Sequence, residues 1–332
     1  MEPILLVPPI LGFLISLLSL PVWIKRAKNV GLVGKDVHKK SGEVLAEAGG
    51  ICAIMGFIVG VLSYVAIKTF YFHTNENVTE IFSMISTILI ISFIGFTDGI
   101  LGWRIGLTKW VRIFLLIFAS FPMIVINAGE SEMMGISFGI LYPLIIIPLG
   151  IVGASATFNM LAGYNGLETS QGIIILSALS IVTFLTGSSW ISMIGVTMIA
   201  CLLAFYIFNK CPAKVFPGDV LTYSTGALIA IMAILGNVEL IAIFFFIPYI
   251  LETILKIRGK LKKESFGKVN EDGSLEVPYE KFYGLEHIAI WIIKKIKPNK
   301  KVYEKDVVYL INFFQILIII IGFIIFRGQI FS

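Results

Sequence analysis

Long apolar stretches alternate with polar loops along the whole chain. A helix needs about 20 apolar residues to cross the hydrocarbon layer of a membrane, and somewhat fewer when its ends reach the interface. We therefore predict an all-α polytopic membrane protein with about ten transmembrane helices. The ten stretches are 4–23, 49–69, 81–97, 111–127, 138–155, 172–186, 190–207, 223–236, 240–255 and 307–326.

Basic residues are distributed very unevenly between the loops. If loop 24–48 faces the cytoplasm, 24 of the 26 Lys and Arg residues lie on the inner side, and only Lys68 and Arg327 lie outside. Because cytoplasmic loops carry the excess of Lys and Arg, this distribution predicts the orientation and places both termini outside. The first apolar stretch is followed by basic residues and not preceded by them, which indicates a retained span rather than a cleaved signal peptide.

A long inner segment before the last stretch is predicted to fold outside the membrane. Asp272-Gly273 lies between two short alternating runs, which predicts a β-hairpin. Residues 284–297 predict a helix in the cytoplasmic interface, with lysines near lipid phosphates. The predicted parts are a transmembrane core of nine spans at 1–255, the cytoplasmic insertion at 256–305, and the last span with the outer C-terminus at 306–332. Within the core, the predicted inner-face loops are 24–48, 98–110, 156–171 and 208–222.

Composition supports this class of protein. Hydrophobic residues make up 57% of the 332 residues and charged residues only 14%, against about 25% charged in an average soluble domain. The mean hydropathy is +0.93. These values exclude a disordered chain, a nucleic-acid-binding domain and a disulfide-stapled secreted module. The net charge of +5 is explained mainly by topology, and the three dispersed cysteines form no disulfide or zinc pattern.

The inner loops carry the polar residues that suit chemistry. Asp98 directly follows the third apolar stretch, and Asp219 follows a Pro-Gly turn before the eighth. The loop between them contains Asn159, Asn165 and Glu168 but no Lys or Arg, although a plain inner loop would normally be basic. Ionisable groups at the membrane boundary are costly and therefore often functional.

Each of these features also has a purely structural interpretation. Asp98 is then an interfacial acid neutralised by Arg104 and Lys109, and Asp219 is the N-cap of the helix that follows it. Loop 156–171 is then a solvated turn.

Taken together, the loops place oxygen ligands and lysines on one membrane face. Magnesium is typically bound by one or two carboxylates plus phosphate oxygens, and lysines neutralise the remaining phosphate charge. With Lys109 and Lys214 nearby, the residues themselves predict an inner-face magnesium and phosphate site.

Three motifs resemble one enzyme family closely. They are the strings NMLAGYNGLE at 159–168, KVFPGD at 214–219 and FTD at 96–98. They resemble the polyprenyl-phosphate N-acetylhexosamine-1-phosphate transferases, and most of all the eukaryotic and archaeal branch that acts on dolichyl phosphate. The resemblance implies transfer of GlcNAc-1-phosphate from UDP-GlcNAc to a membrane polyprenyl (dolichyl) phosphate with release of UMP. This is the first step of lipid-linked oligosaccharide synthesis for N-glycosylation. It also implies Mg²⁺, or Mn²⁺, as cofactor. We further expect a homodimer and no nucleic-acid partner.

The resemblance also implies roles for individual residues. Asn159 and Asp219 match the magnesium ligands, Asn165 and Phe216 the uracil contacts, Lys109 a phosphate contact, and Glu47 a sugar-nucleotide contact. Asp36, Glu168, Lys214 and Lys263 complete the predicted substrate-binding set. Asp98 matches the first acid of a paired motif whose second acid is here Gly99. Because a phosphate monoester with a second pKa of about 6 hardly needs a base, we favour Asp98 as an orienter or second magnesium contact.

Three other functions fit parts of the sequence. A bacterial-type transferase would act on undecaprenyl phosphate with another UDP-sugar, but the long insertion at 256–305 favours the dolichyl branch. A secondary transporter would show internal repeats and polar groups near the bilayer midplane, whereas the polar residues here collect in inner loops. A structural membrane subunit would match three motifs by coincidence. The predicted location is the cell membrane in an archaeon or the endoplasmic reticulum in a eukaryote, with the active site on the cytoplasmic face.

Overall fold

The described part of the chain folds into a bundle of helices with three small two-stranded sheets. The computed structural model describes residues 2–39, 42–130, 132–133 and 136–331, without the side chains of residues 103–105 and 132, so the side chain of Arg104 lies outside the described part. The helices up to the middle of the chain are α1 (Val7–Asn29), α2 (Gly50–Phe70), α3 (Val78–Ile105), α4 (Lys109–Ala119), α5 (Phe121–Val125) and α6 (Ile147–Phe158). The remaining helices are α7 (Leu167–Leu185), α8 (Ser189–Asn209), α9 (Asp219–Leu235), α10 (Glu239–Phe245), α11 (Ile247–Arg258), α12 (Leu285–Ile296), α13 (Glu304–Ile325) and α14 (Arg327–Ile330).

The structure confirms a polytopic helical membrane protein but does not reach ten spans. Each predicted apolar stretch lies largely on helix, yet within the described residues only six helices are long and apolar enough to cross a membrane, or seven with the pair α10 and α11, bent by 59°. The six are Pro3–Asn29, Gly50–Phe70, Val78–Gly102, Leu167–Leu185, Ser189–Asn209 and Glu304–Ile325.

The other apolar stretches are interrupted or short. Ser120 separates α4 from α5, and a π-helical turn at Tyr142–Ile146 precedes α6. Pro122 and Pro148 lie at these breaks, where proline cannot donate the backbone hydrogen bond that would continue a helix. Helix α9 spans only 17 residues. Hydropathy alone therefore predicts more stretches than there are helices that qualify as spans by themselves, because it does not register helix breaks.

Short strands link loops that are distant in sequence. Strands β1 (Val33–Lys35) and β2 (Val44–Ala46) pair antiparallel, and Ala46 also forms a parallel bridge with Val215. These strands were not predicted, since three residues are too few to show an alternating pattern. Strands β3 (Glu132–Met133) and β4 (Ile136–Ser137) form a second small pair. The hairpin expected at Asp272-Gly273 is present as β5 (Lys268–Val269) and β6 (Leu275–Glu276), followed by α12.

Helix α9 lies at the centre of the bundle. Nearly all of its residues are buried, and α3 and α6 pack against it. Elsewhere α1 packs against α2 and α8, and α7 packs against α8. Because α9 begins at Asp219, the packing of α3 and α6 fixes where that acidic residue lies.

Two glycines one turn apart on α3 test this packing. A Cβ atom at Gly95 would lie 2.6 Å from the carbonyl carbon of Asp219, whereas a Cβ atom at Gly99 would have no described neighbour within 4 Å. We expect Gly95→Ala to push α3 away from α9 and to lower the free energy of unfolding by about 1–3 kcal/mol. Gly99→Ala should leave stability unchanged or raise it slightly, since alanine favours helix. Thermal unfolding of both variants in one detergent measures the difference, and equal melting of the two would contradict the close approach.

Candidate active site

One open cavity of about 770 Å³ collects most of the predicted site residues. Its volume is in the range of small-molecule binding sites. Eight of the eleven predicted residues line it, namely Asp36, Glu47, Lys109, Asn159, Glu168, Phe216, Asp219 and Lys263. Asp98 and Asn165 contact residues of its wall, whereas Lys214 is exposed and is not among the lining residues. The roles of all eleven residues stay predictions.

Backbone hydrogen bonds hold two of the lining loops together. The Phe216 amide donates to the Ala46 carbonyl at 2.8 Å, and the Gly49 amide donates to the Phe216 carbonyl at 3.0 Å. The Glu47 carbonyl accepts from Trp23 Nε1 at 2.9 Å. These bonds fix Glu47 and the Phe216 ring on neighbouring parts of the cavity wall.

Arg112 connects the two acidic residues of the site, and we did not predict it. Its Nε lies 2.8 Å from Asp98 Oδ2, its Nη1 lies 3.7 Å from Asp219 Oδ2, and Nη1 also donates to the Tyr223 hydroxyl at 3.3 Å. The sequence could have indicated Arg112, because it lies three residues after the predicted site residue Lys109. Two residues at this spacing in the first turn of α4 share a helix face.

The two acids differ in how accessible they are. The Asp98 side chain is 3% exposed, and its second oxygen accepts from the Leu107 amide at 2.6 Å, so both oxygens have partners. The Asp219 side chain is 25% exposed and lines the cavity. Asp219 does not cap α9, since Gly218 is the N-cap residue and no side-chain cap bond forms there. The N-cap interpretation of Asp219 is therefore wrong, and its carboxylate is open to a ligand.

Thr222 joins the Asn159 side chain to the backbone of Asp219. The Thr222 hydroxyl lies 2.8 Å from Asn159 Oδ1 and 3.4 Å from the Asp219 carbonyl. An amide oxygen and an accessible carboxylate are hard oxygen ligands of the kind that Mg²⁺ prefers. The donor set therefore fits magnesium.

Lysines from two elements border the same cavity. Lys109 Nζ donates to the Leu261 carbonyl at 2.8 Å, which joins the start of α4 to the segment after α11. Lys263 Nζ lies 4.8 Å from the centre of the Tyr279 ring. The predicted insertion thus contributes cationic side chains to the cavity wall.

Buried carboxylates support the loop that follows α6. Glu168 accepts from the Gly163 amide through Oε1 at 2.7 Å, and its Oε2 is buried without a hydrogen-bond partner among the described residues. Glu304, at the start of α13, accepts from the Asn165 amide at 2.7 Å. We did not predict Glu304. The sequence feature that could have identified Glu304 is its position as an acidic residue at the membrane boundary of the last span.

Asp36, His38 and Glu304 form a compact cluster behind this loop. Each offers a potential ligand atom, and these atoms lie within 4.8 Å of one another. Every carboxylate oxygen in the cluster, however, already accepts a hydrogen bond. The donors to Asp36 are the His38 backbone amide and Asn165 Nδ2. The donors to Glu304 are the Asn165 backbone amide, Asn165 Nδ2, Lys39 Nζ and the Cys211 thiol. The cluster therefore acts as a hydrogen-bonding support rather than as an open cation site.

Glu47 lies between strand β2 and helix α2, in an acidic environment. Burial raises the pKa of its carboxyl to about 7, and the negative charges of Asp219 and Glu168 add to the rise. Between the ordinary pKa of 4.5 and about 7, the folded protein binds more protons at this site than the unfolded chain does. The contribution of Glu47 to stability is therefore present at low pH and is lost as the pH rises through this range.

This pKa predicts a measurable pH dependence. Without added metal, the stability of the protein relative to Glu47→Gln should fall by up to about 3 kcal/mol between pH 5 and pH 7.5. Glu43→Gln, at an exposed position, serves as the matched control and should follow the wild type. Thermal unfolding in detergent across this pH range measures the difference. If the wild type and Glu47→Gln keep a constant offset, the raised pKa is wrong.

Comparisons with known proteins agree with the motifs. The model of glycosyl transferase family 4 matches residues 81–237. A Saccharolobus solfataricus protein, provisionally named UDP-N-acetylglucosamine–dolichyl-phosphate N-acetylglucosaminephosphotransferase, is 41% identical over 294 residues, which cover 86% of this chain and 88% of that protein. The Dictyostelium discoideum enzyme of that name is 27% identical over 69% of this chain and 65% of its own length. A Streptococcus thermophilus phospho-N-acetylmuramoyl-pentapeptide-transferase is 30% identical over 75% of this chain and 77% of its own length. The chain therefore belongs to glycosyl transferase family 4, the family of polyprenyl-phosphate N-acetylhexosamine-1-phosphate transferases that its loop motifs indicated.

Proposed function

We propose that this protein transfers GlcNAc-1-phosphate from UDP-GlcNAc to a membrane polyprenyl (dolichyl) phosphate and releases UMP. The observation that carries the proposal is the single cavity lined by the oxygen-bearing side chains of Asn159 and Asp219 and by the cationic side chains of Lys109 and Arg112. The names of the relatives from Saccharolobus and Dictyostelium support the same donor and acceptor.

The reaction needs positioning and charge neutralisation more than covalent chemistry. An oxygen of the lipid phosphate forms a bond to the sugar-bearing phosphorus, and the bond from that phosphorus to the UMP oxygen breaks. Magnesium, held by Asn159 and Asp219, would supply positive charge next to the diphosphate. Lys109 neutralises phosphate charge from the start of α4. Asp98 orients Arg112, since both of its carboxylate oxygens already have partners.

We also propose how often the chain crosses the membrane, counting more crossings than the six or seven helices that qualify as spans by themselves. In this topology, α4 with α5, the helix ending at Phe158, and α9 also cross the membrane, which brings the number of crossings to ten. Both termini then lie outside, and the cavity opens on the cytoplasmic face, as the distribution of Lys and Arg predicts. Short or kinked helices are tolerated at membrane depth when they are buried in protein, and α9 is buried along nearly its whole length.

A direct assay tests the proposed function. Purified protein in detergent is incubated with radiolabelled UDP-GlcNAc, dolichyl phosphate and Mg²⁺, and both UMP and the lipid product are quantified. We expect lipid-dependent release of UMP that EDTA abolishes and that Mg²⁺ or Mn²⁺ restores. Release of UMP with undecaprenyl phosphate and another UDP-sugar, but not with these substrates, would favour the bacterial-type reaction. Uptake of UDP-GlcNAc into sealed vesicles without UMP release would overturn the proposal in favour of transport.

A further inference from the structure

Two buried carboxylates from distant parts of the chain hold the side-chain amide of Asn165. Its Nδ2 lies 2.9 Å from Asp36 Oδ2 and 3.3 Å from Glu304 Oε2, and its backbone amide donates to Glu304 Oε1. The exposed fractions are 4% for Asn165, 2% for Asp36 and 6% for Glu304. An ionised carboxylate is an acceptor only, so a flipped amide would place Oδ1 against two acceptors. The orientation of this amide is therefore fixed.

Charge in the cluster supports this arrangement. Lys39 Nζ lies 3.4 Å from Glu304 Oε2, and His38 Nδ1 lies 3.6 Å from Glu304 Oε1. The nearby cation favours the charged form of Glu304, which can accept hydrogen bonds from Asn165 but cannot donate to it.

The fixed orientation leaves Oδ1 of Asn165 as the free acceptor. Within the described part of the chain no group donates to this oxygen, and it is not among the polar atoms that are sealed from solvent without a partner. Its neighbours Asp36 and Gly163 line the cavity. The Phe216 ring lies on the same wall, close enough to Gly34 that a Cβ atom there would be 3.2 Å from the ring. A planar base stacked on Phe216 would thus present its edge near this part of the wall.

We propose that Asp36 and Glu304 are positioning residues that aim the Asn165 carbonyl at the nucleobase and thereby select uracil over cytosine. This inference rests on the proposed function, because it assumes a uridine nucleotide in the cavity. The N3 atom of uracil carries a hydrogen and donates to a fixed acceptor. The N3 atom of cytosine is itself an acceptor, so binding of cytosine would bury two acceptors against each other without a hydrogen.

Nucleotide binding to the purified protein in detergent tests this selectivity. Isothermal titration with UMP, CMP and 3-methyl-UMP compares a base with the N3 donor against two bases without it. We expect the wild type to bind UMP about 10- to 100-fold more tightly than either of the others. Glu304→Gln introduces a donor next to Asn165 and permits the flipped amide, so the preference for UMP over CMP should narrow at least about 5-fold. Lys305→Gln, at an exposed neighbouring position, is the matched control and should keep the wild-type ratio.

The ratio of the two affinities separates positioning from a general structural effect. A variant that only loosens the fold would weaken UMP and CMP equally, and an unchanged ratio in folded Glu304→Gln would overturn the inference. If Glu304→Gln does not fold, Asp36→Asn removes the charge of the other carboxylate, and the ratio of its UMP and CMP affinities tests the inference in the same way. Equal binding of UMP and 3-methyl-UMP by the wild type would also overturn it, without any variant. If the wild type did not bind UMP, that result would instead contradict the proposed function itself.

Discussion

Asp219→Ala is expected to reduce transfer by about 100- to 1000-fold, because it removes the accessible carboxylate of the proposed magnesium site. The Asp219 side chain lines the cavity and is 25% exposed, and its closest described cation is Arg112 Nη1 at 3.7 Å. Arg112 keeps its tighter contact with Asp98 at 2.8 Å in the variant. We therefore expect the variant to insert and fold, with a loss confined to catalysis.

Turnover, membrane insertion and melting temperature of Asp219→Ala should be measured together. Asp272→Ala is the matched control, since Asp272 lies in the β5–β6 turn, pairs with Lys301 and does not line the cavity. The control should retain wild-type turnover. Near-normal turnover of Asp219→Ala would refute the metal assignment, and a collapse of its melting temperature would show that the carboxylate is structural.

Much of the fold follows from hydropathy because burial in lipid and burial in protein both require apolar side chains. Every predicted apolar stretch is largely helical for this reason. The number of helices that qualify as spans does not follow, because composition does not reveal where a helix bends, as between α10 and α11. Strands β1 and β2 were missed for a related reason. They are stabilised by pairing with each other and with Val215, and no local pattern records such pairing.

The candidate site shows the same division between local and long-range information. Polar residues at the membrane boundary, such as Asn159 and Asp219, were recognisable as candidates because polar groups at that depth are costly and therefore often functional. Arg112 and Glu304 were not recognised, since their importance lies in contacts with Asp98 and Asn165 from other helices. Spacing along one helix or loop does not disclose such contacts.

Arg112→Ala is expected to impair both stability and transfer. Asp98 is 3% exposed and takes its charge partner from Arg112, so the variant leaves a buried carboxylate without its cation and close to Asp219. Loss of one partner of a buried ion pair typically costs about 3–5 kcal/mol. Thermal unfolding should show this loss, whereas Arg258→Ala, at an exposed position near the end of α11, should melt like the wild type.

A double variant separates the two effects of Arg112. In Arg112→Ala combined with Asp98→Asn the unpaired charge is gone, so stability should recover in large part, and the coupling between the two changes is read from the double-mutant cycle. Transfer should stay reduced by at least about 100-fold, because the positive charge that Arg112 brings to the cavity wall is gone. If the double variant regained full turnover, Arg112 would serve only to neutralise Asp98. If Arg112→Ala alone melted like the wild type, the ion pair with Asp98 would contribute nothing to stability. That result would also contradict the role of Asp98 in orienting Arg112.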